Sequence, residues 1–238
     1  MITLTVISSL CGCSTLDSRH APGPRSAPQA TRFAILLPNS LVPVPPELSG
    51  ATDRVLGLIT RYLAARGRKR GVIDPLEAQR LWLESIAEAD ESDTVSHDFH
   101  GAMKIFAHKL GGPAAFDALV VPSLVYREGR LRNRIVKWDG VVRRLPSVGE
   151  DSKPISPSFE ASVPVVSLHV MVFSASGELT FENYGGVDLV HSFRLDPGDE
   201  GQLRAELRDP VLGERRFLRE GVEVAFDPYL PRDRIGEW

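Results

Sequence analysis

Cysteine is nearly absent from this chain, with only Cys11 and Cys13 among 238 residues. Two cysteines separated by one residue are poorly placed for an intramolecular disulfide, which requires a specific spacing of the two side chains. They are also too few to form a four-ligand structural zinc site by themselves. The sequence therefore excludes a disulfide framework or a cysteine-built metal site in the rest of the chain.

Long apolar runs and an excess of basic charge are missing as well. No uninterrupted apolar stretch reaches the length of about 18 residues that a membrane-spanning helix needs. The 28 basic and 31 acidic residues give a net charge of −3, whereas nucleic-acid-binding domains are usually basic. We therefore expect no nucleic-acid partner.

The densest basic run indicates either an ordinary surface cluster or a contact with anionic lipid or another polyanion. It comprises Arg66, Arg68, Lys69 and Arg70.

The N-terminus carries the pattern of a short export signal. Residues 2–10, ITLTVISSL, are apolar or small, about the length of a signal-peptide hydrophobic region. The following Leu10-Cys11-Gly12-Cys13 resembles a bacterial lipobox, which implies cleavage after residue 12 and lipidation of Cys13. No Lys or Arg precedes the apolar run, so an apolar N-terminus of a cytosolic protein remains the alternative. Ser14, rather than Asp, after the modified cysteine favours the outer membrane by the same resemblance.

Residues 14–31, STLDSRHAPGPRSAPQAT, contain almost no large apolar side chains. Such a composition buries too little surface to offset chain entropy, and it predicts a flexible tether. The expected organisation is a signal peptide over 1–12, the lipidated cysteine and tether over 13–31, and a single domain over 32–238.

The first half of that domain alternates predicted strands and helices. Apolar runs favour strands at 32–38 and 71–73, and helical spacing of apolar residues predicts helices over 52–65 and 98–110. Asp74-Pro75-Leu76-Glu77 is typical of a capped helix start, with the helix running to about Ala89 and a polar loop over 90–96.

The second half is predicted to be mostly hairpins. The strongest strand signal is 118–126, with Pro122 at a bulge or an edge, a turn at Glu128-Gly129 and a returning strand over 134–145. A long strand over 163–174 turns at Ser176-Gly177 into 178–184, which Gly185-Gly186 is expected to end. A further strand over 187–195 and a last helix from Asp209-Pro210 complete the order. The predicted fold class is α/β (α+β), a single mixed sheet flanked by helices.

Three segments carry a resemblance to known lipoproteins: RFAILLP, Val72-Ile73-Asp74-Pro75 and FDALVVPSLVYREG. Over roughly residues 32–230, this order of elements resembles bacterial lipoproteins of the curli-secretion and penicillin-binding-protein-activator type. The resemblance implies a non-enzymatic binding or assembly module, anchored through Cys13, whose partner is another envelope protein at the periplasmic side of the outer membrane. A subunit of a multimeric secretion complex and a periplasmic enzyme are the alternatives, and the oligomeric state stays open.

Candidate chemical groups are few and scattered. A helix bearing His100 and His108 with Lys104 between them is a poor metal-binding pattern, since ligands must converge; His97, Asp93 and Asp98 lie nearby in the sequence. Ser123 lacks the Gly-x-Ser-x-Gly setting of a nucleophile elbow. The sequence predicts no catalytic residue, no metal and no cofactor. The large aromatics Trp82, Trp138 and Tyr184 are interpreted as core residues or as a partner surface.

Overall fold

The computed structural model describes residues 30–92, 99–145, 160–195, 203–208 and 212–230. The chain begins with β1 (Arg32–Ile35), a 3₁₀ turn and α1 (Thr52–Ala65), and then β2 (Lys69–Val72) pairs parallel to β1. The helices α2 (Pro75–Ser92), α3 (Phe99–Lys109) and α4 (Gly112–Ala115) follow. They lead to β3 (Ala118–Arg132), which lies parallel to β1 on its other side.

The second half of the chain extends the same sheet with antiparallel strands. A hairpin of β4 (Ile135–Trp138) and β5 (Val141–Arg144) pairs with the far part of β3. The long β6 (Glu160–Ser174) pairs with β3 along its whole length, and β7 (Leu179–Leu189) pairs with β6. A two-stranded sheet of β8 (His191–Leu195) and β9 (Leu203–Leu207) precedes α5 (Arg215–Phe226).

Helices cover both faces of this seven-stranded sheet. Alternation along β1 sends Phe33 and Ile35 to the face covered by α1 and α5, and Ala34 and Leu36 to the face covered by α2 and α3. The predicted single mixed sheet flanked by helices is confirmed.

No helix in the described part of the chain is long and apolar enough to cross a membrane.

The first half of the chain follows its predicted elements closely. The bounds of α1 match the prediction, and Asp74 Oδ1 accepts hydrogen bonds from the N–H groups of Leu76 and Glu77 at 3.0 Å each. The loop predicted over 90–96 is wrong in its first residues, since α2 continues to Ser92. The last turn of α2 stays packed because Ala89 is buried in the cluster between α2 and α3. Asp90 lies on the solvent side of the same turn.

Two turns of the second half were predicted at the wrong positions. Glu128-Gly129 is continuous strand, because Gly129 serves close packing: a Cβ there would lie 2.6 Å from Val136 and 2.7 Å from Val165. The turn falls at Asn133 and Arg134, which both adopt positive φ. The predicted strand over 134–145 is two strands, β4 and β5, since Gly140 supplies a second tight turn with φ of 76°.

Pro122 forms no bulge, because the pairing of β3 with β6 passes through it without a register shift. The carbonyl of Pro122 accepts a hydrogen bond from the N–H of Asn39, beyond the end of β1. The backbone nitrogen and carbonyl of one strand residue point to the same side. The nitrogen of Pro122, which lacks a hydrogen, therefore faces this loop and removes no bond from the β6 ladder. On the loop side β3 is locally an edge, as the sequence predicted for a strand proline.

Gly185-Gly186 does not end β7, contrary to prediction. A Cβ on Gly185 would overlap the Gly221 carbonyl oxygen of α5, and one on Gly186 would lie 2.8 Å from the indole nitrogen of Trp138. The glycines thus let a helix and a hairpin approach opposite faces of the strand. The predicted strand over 187–195 is divided between β7 and β8, and β9 was not predicted. The last helix begins at Arg215, since Leu212 has a positive φ of 57°.

Candidate functional site

A polar groove lies on the sheet face that α2 and α3 cover only in part. Those helices cover Val121 and its ladder partner Met171, but the next residues on the same face of β3 and β6 are Ser123 and His169, which are direct partners in the ladder. Tyr184 of β7 is the partner of His169 on its other side. We define the polar groove by six residues: Arg127, Asp139, Ser167, His169, Glu182 and Tyr184.

His169 is the centre of the polar groove. Its Nε2 lies 2.8 Å from Glu182 Oε1, and its ring stacks on Tyr184 with centroids 4.2 Å apart and an interplanar angle of 6°. Burial lowers the pKa of His169, and the adjacent Glu182 carboxylate offsets part of this effect. Burial also raises the pKa of Tyr184. The stack is therefore a neutral imidazole on a neutral phenol at neutral pH.

Arg127 extends this stack on the other face of the phenol ring. Its guanidinium carbon lies 4.4 Å from the Tyr184 centroid, within the range of a cation–π contact. The same guanidinium forms an ion pair with Asp139, with Nε 3.2 Å from Oδ2. Ser167 Oγ donates a hydrogen bond of 2.6 Å to that Asp139 oxygen. The groove therefore carries a continuous network of both charge signs and stacked rings.

The β4–β5 hairpin brings Asp139 to the groove from a remote part of the chain. The hairpin folds over the sheet, where the Gly186 N–H donates to the Asp139 carbonyl at 2.9 Å. Trp138 Nε1 donates to the Val166 carbonyl at 3.2 Å. A separate apolar cluster beneath the hairpin fixes it in this position; it includes Leu131, Val136, Trp138, Val141, Val163, Val165 and Leu189. The groove is thus bounded by the α2–α3 layer on one side and by this hairpin on the other.

The topology places the groove beside a position where ligands commonly bind in α/β folds. The strand order β2-β1-β3, with the connections crossing opposite faces, creates a switch point at the carboxyl end of β1. Asn39 fills the gap between the strands there, since its side chain accepts from the Leu124 N–H at 2.8 Å and donates to the Leu124 carbonyl at 3.2 Å. The polar side chains of the groove therefore begin past Asn39, at Ser123 and His169.

Of the five residues considered from sequence for metal binding, the structure describes only two. His100 and His108 are exposed on α3, whereas Asp93, His97 and Asp98 fall outside the described residues. No group of three or more His, Cys, Asp or Glu side chains is arranged around a common point within the described ranges. Cys13, the predicted lipidation site, also lies outside them.

Ser123 occupies an unexpected position. It is 4% exposed and lies directly across the ladder from His169. Among the described contacts, however, His169 Nε2 bonds to Glu182, and no hydrogen bond joins Ser123 to the imidazole. The arrangement is not that of a serine activated by histidine, in which the ring nitrogen nearest the hydroxyl is free to accept its proton.

The sequence signals for the groove were weak because its residues come from three different strands and a turn. Ser167 and His169 interrupt the apolar alternation of β6, which marks a partly uncovered strip of the sheet. Of the three aromatics considered as core or surface, Trp82 and Trp138 are buried, while Tyr184 is half-buried in the groove.

No family model matches the chain, and no curated protein matches it.

Proposed function

We propose that this protein is a membrane-anchored, non-enzymatic module of the bacterial cell envelope that binds another envelope protein through the polar groove. In this proposal residues 1–12 are removed and acyl chains on Cys13 hold the protein at the periplasmic face of the outer membrane. Residues 13–31 join the anchor to the folded domain.

The observation that carries the proposal is the separation between the entry of the chain and the groove. At the amino end of β1, Asp117 accepts hydrogen bonds of 2.9 Å from the backbone N–H groups of Thr31 and Arg32. The groove begins beyond the opposite end of β1, at Ser123, past the Val120 that pairs with Ile35. A chain anchored through its N-terminus therefore presents the groove away from the anchor.

The length of the joining segment agrees with this role. A chain running from Cys13 to Thr31 spans at most about 60 Å when fully extended. Such a reach would let the groove meet a partner at several distances and angles from the membrane.

The chemistry of the groove favours a protein partner. Arg and aromatic side chains are the residue types that contribute most at protein interfaces, and here Arg127, Tyr184 and His169 are stacked in a half-buried row. The charge of Arg127 is matched by Asp139, and Glu182 accepts a hydrogen bond from the neutral His169 ring. A mixed polar segment suits this surface better than a small, highly charged ligand.

The anchor is tested by intact mass and acyl-analogue labelling of the wild type and Cys13→Ala in a bacterium that processes lipoproteins. We expect label on the wild type alone, a mass that fits cleavage before Cys13, and loss of the variant from the membrane fraction. Label on neither protein would overturn the anchored assignment.

The groove is tested by a photoreactive amino acid at Met171, a half-buried neighbour of Glu182 on the groove face. Lys137, exposed on β4, receives the same probe as a matched control. A discrete adduct at Met171 that disappears with Tyr184→Ala is the expected result. The absence of any adduct at Met171, or the same adducts at both positions, would contradict binding in the groove.

A further inference from the structure

Four cations lie together at the amino end of the sheet, where the folded domain begins; we call Arg66, Arg68, Lys69 and Arg70 the basic end. The Lys69 N–H donates to the Thr31 carbonyl at 2.8 Å, which ties the start of β2 to the start of β1. Arg68 Nη1 donates to the Ala30 carbonyl at 2.9 Å. The basic end is therefore in direct contact with the first described residues of the domain.

The described part of the chain places no carboxylate in an ion pair with the basic end. Within the described ranges, no Asp or Glu oxygen lies within the 4.0 Å of an ion pair to any of its four side chains. Cations nearby differ in this respect: Arg32 pairs with Asp117 at 2.8 Å, and Lys109 pairs with Glu88 at 3.2 Å. Lys69 and Arg70 are exposed, so their charges face solvent, whereas Arg66 and Arg68 are half-buried.

The need to keep an exposed edge strand from pairing with other chains explains only part of the positive charge of the basic end. β2 is the outermost strand beside β1 and all four of its residues are exposed, so Lys69 and Arg70 discourage edge-to-edge pairing. Arg66 and Arg68 precede the strand. Arg66 is held over the Tyr62 ring at 3.5 Å, where it also complements the carboxyl end of α1. The four together exceed what an edge strand needs.

We infer that the basic end docks on anionic phospholipid headgroups beside the point where the anchored chain enters the domain. The orientation rests on the proposed function, since a lipid on Cys13 keeps the domain near a bilayer, joined through the end that carries these cations, and raises their effective concentration there. Lys and Arg near an anionic surface each strengthen binding by about fivefold. Docking by this end turns the carboxyl end of β1, and with it the polar groove, away from the membrane.

The test uses the full chain with Cys11→Ser and Cys13→Ser, so that acylation plays no part. Its flotation is measured with vesicles of phosphatidylcholine alone and with vesicles that also contain phosphatidylglycerol. Lys69→Gln with Arg70→Gln is compared with Lys137→Gln and Arg144→Gln, which remove two exposed charges from the β4–β5 hairpin. Thermal unfolding of all three proteins establishes that they are folded.

We expect binding only to the anionic vesicles, a loss of about 25-fold in the Lys69/Arg70 variant, and no change in the hairpin control. Raising the salt concentration to about 1 M, where charges are screened within about 3 Å, should release the protein. Equal binding to both vesicle types, or equal losses in both variants, would overturn the inference. So would release by inorganic phosphate at an ionic strength where sodium chloride leaves the protein bound, because that result indicates a site for single phosphate ions. None of these outcomes depends on whether Cys13 is acylated.

Discussion

Asp117 binds both the backbone and the side chain of Arg32, since its carboxylate accepts the backbone N–H at 2.9 Å and two guanidinium N–H groups at 2.8 and 3.1 Å. One side chain of the loop before β3 thus fixes the start of β1, which lies 85 residues earlier in the chain. The Thr31 N–H and hydroxyl bind the same carboxylate, each at 2.9 Å.

Asp117→Asn is expected to lower the midpoint of thermal unfolding by several degrees at neutral pH. Hydrogen bonds from the Arg32 backbone and side chain, followed by those from Thr31, hold the pKa of Asp117 well below its usual range. Because the folded pKa is depressed, the stabilisation is complete above the ordinary value of about 3.9 and is lost as the pH falls below it. The wild type should therefore lose stability between about pH 4 and pH 2 more steeply than Asp117→Asn.

The matched control is Asp53→Asn, which removes an exposed carboxylate from the first turn of α1. Urea unfolding at several pH values measures both variants. A variant Asp117→Asn with the same acid profile as the wild type would contradict a role for this carboxylate at the start of β1.

Gly185→Ala is expected to destabilise the domain by about 3 kcal/mol, the upper part of the range for overpacked sites. Its Cβ would overlap the Gly221 carbonyl oxygen and lie 2.6 Å from the Ala225 nitrogen, both in the backbone of α5. Gly71→Ala is the control, because a Cβ there meets nothing within 4 Å. Chemical denaturation should separate the two variants clearly, and a near-neutral Gly185→Ala would show that α5 does not pack as closely as described.

Arg208→Met is expected to cost about 3 kcal/mol at neutral pH, as when one partner of a buried pair is removed. Asp188 is 1% exposed, and its Oδ1 lies 2.7 Å from Arg208 Nη1. Burial raises the pKa of Asp188, while Arg208 acts in the opposite direction. A raised folded pKa means that stability is lost as the pH rises through it.

The deficit of Arg208→Met should therefore shrink as the pH is lowered from 7 towards 4, where Asp188 takes up a proton. Arg130→Met, which breaks an exposed pair with Glu160 at 3.2 Å, should change stability by less than about 1 kcal/mol. A deficit that is constant over this pH range would count against the burial of an ionised Asp188.

His169 is expected to titrate below its ordinary pKa of about 6.5 in an NMR titration of the imidazole resonances. Burial is the largest cause of this lowering, and Glu182 opposes it. Glu182→Gln should consequently move the pKa of His169 further down. A rise of the His169 pKa in Glu182→Gln would contradict the geometry of the groove.

The helices were predictable because their signals are local. The bounds of α1 follow from the spacing of Val55, Leu58 and Tyr62, and the start of α2 follows from Asp74 and Pro75, all within single turns. Gly129 and Gly185 were misinterpreted as turn signals. In the sequence, a glycine that lets two distant elements pack closely cannot be told from a glycine that forms a turn. Only the tertiary structure distinguishes the two roles.

The polar groove was beyond sequence reasoning for a related physical cause. Asp139 reaches Arg127 and Ser167 only because the β4–β5 hairpin folds over the sheet, and the position of that hairpin depends on Trp138 and its apolar neighbours. His169 and Glu182 meet through the register of β6 with β7. The sequence marked Ser123 and Tyr184 individually, but it contained no spacing that would join them.

The ladder between β3 and β6 runs from Ala118 opposite Ser174 to Arg132 opposite Glu160 without interruption. One end of this ladder supports the helical layers, and the other supports the hairpin cluster. If the gene were divided between β5 and β6, one product would contain β3 and the other β6. Neither product could then close the hydrophobic core by itself. The two fragments should then stay unfolded apart and assemble when mixed, so the domain offers a natural division for a complementation reporter.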